Sequence, residues 1–160
     1  MQNRSWLVRS LISTLAGVCL IGAAPQPGQT GTDSLSNTQV TIIVTGLRSH
    51  DGLVQACMTS HPDEFPDCPS KSEDAYRMTV SASGDVKLQF TKVKAGRYAV
   101  ALLHDENSNG KMDRMLVIPR EGFGFSQDAK IKMGPPKFEE AAFTVGKTPV
   151  KQTIKTRYIL

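Results

Sequence analysis

Oxygen-bearing side chains alternate along the segment DENSNGKMD, which runs from Asp105 to Asp113. Positions 1, 3, 5, 7 and 9 of a calcium-binding loop are matched by Asp105, Asn107, Asn109, Lys111 (through its backbone carbonyl) and Asp113. Gly110 stands at position 6, where such a loop bends sharply. Oxygen ligands at alternate positions of a tight turn converge on one hard cation, so this segment predicts a calcium site.

The match to a calcium loop is incomplete at position 12, where Leu116 stands in place of a bidentate glutamate. No flanking helices are predicted either. The missing oxygens would have to come from Glu106, Glu121 or Asp128, and we expect weak binding, with Kd on the order of 10⁻⁴–10⁻³ M. The alternative is an Asx-rich turn whose side chains cap their own backbone.

Residues for enzyme chemistry are sparse. His50, His61 and His104 are scattered, and the chain has no G-x-S-x-G, HExxH or phosphate-loop motif. His104 and Asp105 form the one adjacent acid–base pair, although neighbours on a strand point to opposite faces. A small periplasmic hydrolase that uses His104 and nearby carboxylates is therefore the enzyme alternative.

Two phenylalanines, Phe123 and Phe125, lie in the run EGFGFS. Glycines and prolines surround them between residues 119 and 137, so this region is predicted as a long loop. In one interpretation the rings plug an open end of the fold. In the other they form an aromatic ligand-binding platform with Arg120 and Lys130 beside it.

The N-terminus has the three parts of a secretory signal peptide over residues 1–24. Arg4 and Arg9 precede an uncharged, largely apolar stretch of fourteen residues, 11–24, which ends in small residues. That stretch is shorter than the roughly 20 residues that span a bilayer. The pattern predicts export to the periplasm or the medium, with no membrane span after the signal peptide is removed.

Residues 25–38 have little to bury and are predicted to be a flexible linker, and residues 39–160 one domain. Removing residues 1–24 lowers the formal net charge from +4 to +2, which does not favour nucleic acid as a partner. Cys57 and Cys68 then remain, and in an oxidising compartment they predict a disulfide. The alternative is two separate buried thiols.

The domain is predicted to be all β. An apolar run from Tyr98 to Leu103 indicates a central strand that is buried on both faces. Alternating runs around Val40–Val44 and over Leu53–Thr59 are predicted to pair as a hairpin across the turn-rich segment 46–52. Further short strands follow over 76–81, 86–90, 141–145 and 150–160. About seven strands without a convincing amphipathic helix predict an antiparallel β-sandwich of Ig-like or transthyretin-like type.

Three runs carry a family resemblance: GRYAVALLHDENSNGKMD, IPREGFGFS and GPPKFEEAAF. In this order they closely resemble a bacterial family of exported proteins known as domain of unknown function 2141, over roughly residues 40–160. The resemblance implies a secreted or periplasmic β-sandwich and supplies no catalytic residues. The Cys57 and Cys68 pair is similar to that of part of this family.

Together these features predict an exported β-sandwich module with a binding or structural role, stabilised by calcium. Its partner is expected to be a small molecule, a glycan or a protein.

Overall fold

The computed structural model describes residues 37–132 and 134–160. The predicted signal peptide, residues 1–24, lies outside the described residues, as does nearly all of the predicted linker. Among the described residues, the first strand begins at Thr38, the last residue assigned to that linker.

The described residues contain ten strands, a four-residue α-helix and two short 3₁₀ turns. The strands are β1 (Thr38–Thr45), β2 (Leu53–Thr59), β3 (Tyr76–Ser81), β4 (Lys87–Val93), β5 (Gly96–Asp105), β6 (Arg114–Met115), β7 (Ile118–Pro119), β8 (Gly122–Phe125), β9 (Phe143–Val145) and β10 (Val150–Lys155). The helix α1 spans Phe138–Ala141, and the 3₁₀ turns span Pro62–Glu64 and Ser126–Asp128.

The strands form two main sheets and a separate hairpin. One sheet has three strands in the order β10-β1-β4; the other has the order β3-β2-β5-β8, and β9 also pairs with β5. Strands β6 and β7 pair only with each other. Except for the parallel pair of β1 and β10, all these pairings are antiparallel. The predicted all-β, sandwich-like class is confirmed.

The predicted hairpin of β1 and β2 is wrong, because the two strands belong to different sheets. Their apolar side chains enter the same core from opposite layers: Val40 and Ile42 from β1, and Val54 and Met58 from β2. Alternation along each strand indicated one buried face but not which strand would be its neighbour. The connection over residues 46–52 crosses from one sheet to the other.

Strand β5 is buried on both faces, as its apolar run predicts. Tyr98, Val100 and Leu102 face the main core between the two sheets. Ala99 points to the opposite face and belongs to a second group of buried residues, which we call the outer cluster: Ala99, Phe123, Phe125, Ala129, Phe138 and Ala141. A second apolar layer therefore covers part of the outer face of the five-stranded sheet.

Strand β8 lies within the region that was predicted to be a long loop. Its phenylalanines point outward, whereas Gly122 and Gly124 face β10. A Cβ atom at Gly124 would lie 2.5 Å from Cγ2 of Ile154, and one at Gly122 would lie 2.4 Å from the ring of Tyr158. The glycines let the C-terminal segment approach the sheet closely, which places both phenylalanines on the outer face.

Candidate functional site

An open groove of about 960 Å³ lies on the outer face of the five-stranded sheet, and we call it the outer-face groove. Strand register places its floor residues in two rows across β3, β2, β5 and β8. The rows are Arg77, Cys57, Ala101, Phe125 and Thr79, Gln55, Leu103, Phe123. The floor therefore changes from polar at the β3 edge to apolar and aromatic at the β8 edge.

Three loop segments surround this floor: residues 66–68, residues from the stretch 110–119, and the pairs 131–132 and 134–135. A disulfide joins Cys57 on β2 to Cys68, with the Cα atoms 6.3 Å apart, so the predicted bridge is present and holds the first loop at the groove. Phe65 of the same loop packs edge-on against Phe125, with ring centroids 5.8 Å apart. The first wall is thus attached to the sheet both covalently and by aromatic packing.

Cationic side chains predominate around the groove. The charged lining residues are Asp67, Arg77, Lys111, Arg114 and Lys132. The guanidinium group of Arg77 donates hydrogen bonds to the carbonyls of Ser72 at 3.0 Å and Cys68 at 3.3 Å. The ammonium group of Lys132 lies 3.3 Å from Glu140 in an exposed ion pair. Even with Lys132 paired to Glu140, three cations against one carboxylate among the lining residues favour an anionic ligand.

The predicted ligand residues Phe123, Phe125 and Arg120 do not form one surface. Phe123 and Phe125 are only 4% and 6% exposed, and their ring centroids lie 6.1 Å apart. Both rings belong to the outer cluster and also line the groove, which supports a packing role for them. They cover a face of the five-stranded sheet, however, and not an open end of the fold as predicted. Arg120 is exposed outside the groove lining, and Lys130 does not line it either. Direct ligand contact by these residues stays a prediction.

The loop that was predicted to bind calcium begins at the fully buried carboxylate of Asp105, the last residue of β5. Its Oδ1 accepts a hydrogen bond from the amide of Asn109 at 3.0 Å. Its Oδ2 accepts from the amide of Gly110 at 2.7 Å and from the side chain of Gln55 at 2.7 Å. Gly110 has φ +81°, a conformation that favours glycine. Asp105 thus sets the bend of the loop.

The remaining side chains of the loop also bond to one another. The amide groups of Asn107 and Asn109 donate to the two carboxylate oxygens of Asp113, at 2.7 and 2.9 Å. These hydrogen bonds lower the pKa of Asp113. The side-chain carbonyls of Asn107 and Asn109 accept from the backbone amides of Asn109 and Lys111 at 3.1 and 3.0 Å. An Asx-rich turn is therefore formed, and each amide oxygen keeps a second lone pair.

A buried glutamate, Glu121, closes the base of this loop. Its carboxylate accepts hydrogen bonds from the backbone amides of Glu106 at 3.2 Å and Asp113 at 2.9 Å. Burial raises the pKa of Glu121, and the nearby charges of Asp105 and Asp113 raise it further, while the hydrogen bond from Asp113 opposes the shift. A cation beside these three carboxylates would relieve their mutual repulsion.

The other two predicted oxygen donors are engaged elsewhere. Glu106 accepts hydrogen bonds from Nε and Nη2 of Arg48, at 3.1 and 2.5 Å, and the arginine lowers its pKa. Asp128 pairs with Arg157 at 2.6 Å. Over residues 37–132 and 134–160, no three acidic, histidine or cysteine side chains are arranged to hold a metal ion. A cation in the loop would therefore rely on amide and backbone oxygens as well.

The histidine of the enzyme alternative, His104, is fully buried. Its Nε2 donates to the carbonyl of Asp51 at 2.9 Å, an assignment that follows because a carbonyl only accepts. In the neutral ring Nδ1 then accepts a hydrogen bond from the hydroxyl of Tyr158 at 2.6 Å. Asp105 lies on the opposite face of β5. With both ring nitrogens occupied away from solvent, His104 fixes the C-terminal segment, and this geometry does not favour a hydrolase.

Sequence reasoning missed Gln55 and Arg48, which support the loop from β2 and from the β1–β2 connection. It included Glu121 only as one of three possible oxygen donors. The role of Glu121 could not be recognised because β8 was not predicted as a strand. In the structure, antiparallel pairing of His104 with Gly122 places Glu121 across from Asp105.

Within residues 37–132 and 134–160, no helix has both the length and the apolar character that a membrane span needs.

Neither the curated proteins nor the solved structures contain a match to this chain. Residues 42–153 match the bacterial family described as "Uncharacterized protein conserved in bacteria (DUF2141)". This match covers more than half of the chain and includes the loop and most of the groove residues, and the protein therefore belongs to that family.

Proposed function

We propose that the protein is an exported binding module that holds an elongated, apolar small molecule with an acidic group in the outer-face groove. The observation that carries this proposal is the combination of an apolar floor with a predominantly cationic rim. Leu103 and Ala101 at the centre of the floor are only partly buried, although they adjoin the buried outer cluster. A ligand that covers them would extend this apolar layer across the sheet.

Isothermal titration with dodecanoate, dodecanol and dodecyltrimethylammonium tests this proposal, with each probe below its micelle concentration. One exposed ion pair is worth up to about 1 kcal/mol, so dodecanoate should bind up to about fivefold more tightly than dodecanol. Dodecyltrimethylammonium should bind least. Lys111→Gln should weaken dodecanoate binding without affecting dodecanol.

A matched pair of variants locates the site. Leu103→Gln introduces a polar group into the groove floor and should reduce the affinity for all probes. Leu47→Gln makes the same change at a partly buried residue against the main core, outside the groove, and should leave the affinity of the folded protein unchanged. If no probe binds, or if both variants bind equally well, the groove is not the binding site.

Export is part of this proposal and is supported by the order of charged, apolar and small residues over residues 1–24. Mass spectrometry of protein recovered from the bacterial periplasm or medium should find a mature N-terminus between about Gly22 and Gln26. Recovery of the chain with Met1 intact from those fractions would contradict export.

We also propose that calcium binds at Asp105, Asn107, Asn109, the carbonyl of Lys111 and Asp113, and that it stabilises the fold. Support comes from the second lone pairs of the two asparagine oxygens and from the charge that Glu121 adds at the base of the loop. The amide groups of Asn107 and Asn109 would have to release Asp113 when the ion binds. The role of the ion in this proposal is structural.

Thermal unfolding with chelator, calcium or magnesium tests the calcium site. Millimolar calcium over a Kd near 10⁻⁴ M should add about 1.4 kcal/mol, or roughly 5 °C in Tm for a domain of this size. Asp105→Ala should abolish that increase, whereas Asp85→Ala, in an exposed turn outside the loop, should retain it. Magnesium should do less, because it requires near-ideal octahedral geometry. The same Tm for the wild type in chelator and in calcium would exclude the site.

A further inference from the structure

The β6–β7 hairpin ends in large apolar side chains that face solvent. Leu116 and Val117, which connect the two strands, are 92% and 84% exposed. Met115 and Ile118 beside them are also exposed. We call residues 115–118 the apolar tip. Contiguous exposed apolar groups of this kind indicate an interaction surface rather than chance exposure.

Neither turn chemistry nor core packing accounts for the residues at the tip. Leu116 has φ +58°, a backbone conformation in which glycine and asparagine are favoured and a leucine is strained. Its side chain contributes nothing to a core because it is almost fully exposed. Leu116 is thus unfavourable both for the turn conformation and for solubility. Residues with such local costs are typical of functional sites, so we infer that this leucine serves binding.

Cationic side chains flank this tip. Arg114 and Arg120 adjoin the outer ends of the hairpin strands, Lys111 precedes them, and all three are exposed. The one acidic residue among residues 111–120, Asp113, is held by hydrogen bonds from the amides of Asn107 and Asn109. The apolar tip therefore stands within a net positive surface.

A lipid surface fits this combination better than other partners do. The tip contains only four residues, so it offers far less than the roughly 1,200 Å² that a stable interface between two copies of the chain requires. Apolar side chains on a protrusion can enter the boundary between headgroups and acyl chains, while flanking arginines contact anionic headgroups. We propose that the apolar tip docks the protein peripherally and reversibly on an anionic bilayer.

Sedimentation with lipid vesicles tests this proposal, using phosphatidylcholine alone and phosphatidylcholine mixed with an equal part of phosphatidylglycerol. The wild type should bind the mixed vesicles much more tightly than the neutral ones. A variant with Leu116→Asn and Val117→Asn should lose at least about tenfold in affinity, because it removes the two most exposed apolar groups. Asparagine tolerates the positive φ of residue 116, so the variant should fold.

Two further variants separate docking from general adhesion. Leu160→Asn removes an exposed apolar group outside both the apolar tip and the groove lining and should bind like the wild type. A variant with Arg114→Gln and Arg120→Gln should lose about 25-fold on the mixed vesicles and little on neutral ones, since each cation near an anionic surface contributes about fivefold.

Three results would overturn the proposal. The first is wild-type affinity that does not depend on phosphatidylglycerol. The second is vesicle binding that is unchanged when Leu116→Asn and Val117→Asn are combined. The third is a dimer in analytical ultracentrifugation that dissociates on the same double substitution, because the tip would then join two copies of the chain.

Discussion

Replacing Phe125 by alanine tests whether the outer cluster is a true second core. The ring is 6% exposed and lies edge-on to Phe65 at 5.8 Å and near Phe123 at 6.1 Å. Truncation of a buried phenylalanine costs about 3–5 kcal/mol, and two aromatic neighbours place this one near the middle of that range, at about 4 kcal/mol. With an unfolding entropy of about 2.1 cal/mol/K per residue over roughly 120 residues, Tm should fall by about 15 °C.

Urea unfolding followed by circular dichroism measures this loss. The matched control is Leu116→Ala, which shortens the most exposed of the large apolar side chains in the described part of the chain and should change the free energy of unfolding by less than about 0.5 kcal/mol. A loss below about 1 kcal/mol for Phe125→Ala would mean that the ring is not buried in solution. The outer face would then be an exposed aromatic platform, and a second core on that face would be refuted.

Three other measurements test the supporting structure. Reduction of the disulfide should lower the free energy of unfolding by about 2–3 kcal/mol in urea titrations, and an unchanged value would show that the bridge does not constrain the chain. Gly124→Ala should lower the free energy of unfolding by about 1–3 kcal/mol, because its Cβ would lie 2.5 Å from Cγ2 of Ile154. Gly146→Ala has open space around it and should lower that free energy by less than about 0.5 kcal/mol. Equal effects would contradict the close approach of β10. Arg48 lowers the pKa of Glu106, so the carboxylate stabilises the fold above its unfolded pKa and loses that effect as pH falls through the lower folded pKa. The wild type should therefore be more stable than Glu106→Gln by about 1 kcal/mol near neutral pH, and this difference should shrink below about pH 4.5. A difference that does not change with pH would exclude this linkage.

The parts of the fold that depend on local sequence were predictable. Strand β5 combines an apolar run with an aspartate at its end, and both its double burial and the bend after Asp105 follow from that order. The disulfide followed from two cysteines at short spacing together with the oxidising compartment that the predicted signal peptide implies. These features depend on local composition, which a single sequence displays directly.

Strand pairing was harder to predict from the sequence. In β8 the inward positions are Gly122 and Gly124, so the alternation of apolar residues that marks a strand is absent on its inner face, and the segment resembles a glycine-rich loop. The glycines are required by the close approach of Ile154 and Tyr158, which come about 30 residues later in the chain. Because β8 was not recognised, neither the outer cluster nor the position of Glu121 could be predicted.

Most of the Asx-rich loop, one wall of the outer-face groove and the apolar tip belong to the insertion between β5 and β8, residues 106–121. Glu121 bonds to the amides of Glu106 and Asp113 at its base, and the amide of Arg120 donates to the carbonyl of Asp113 at 3.0 Å. Asp113 therefore connects the loop, through its side chain, to the hairpin, through its backbone. A cation that drew the side chain of Asp113 toward Asp105 would act on the base of the hairpin as well. This connection gives a physical reason why the loop would influence both the groove and the tip.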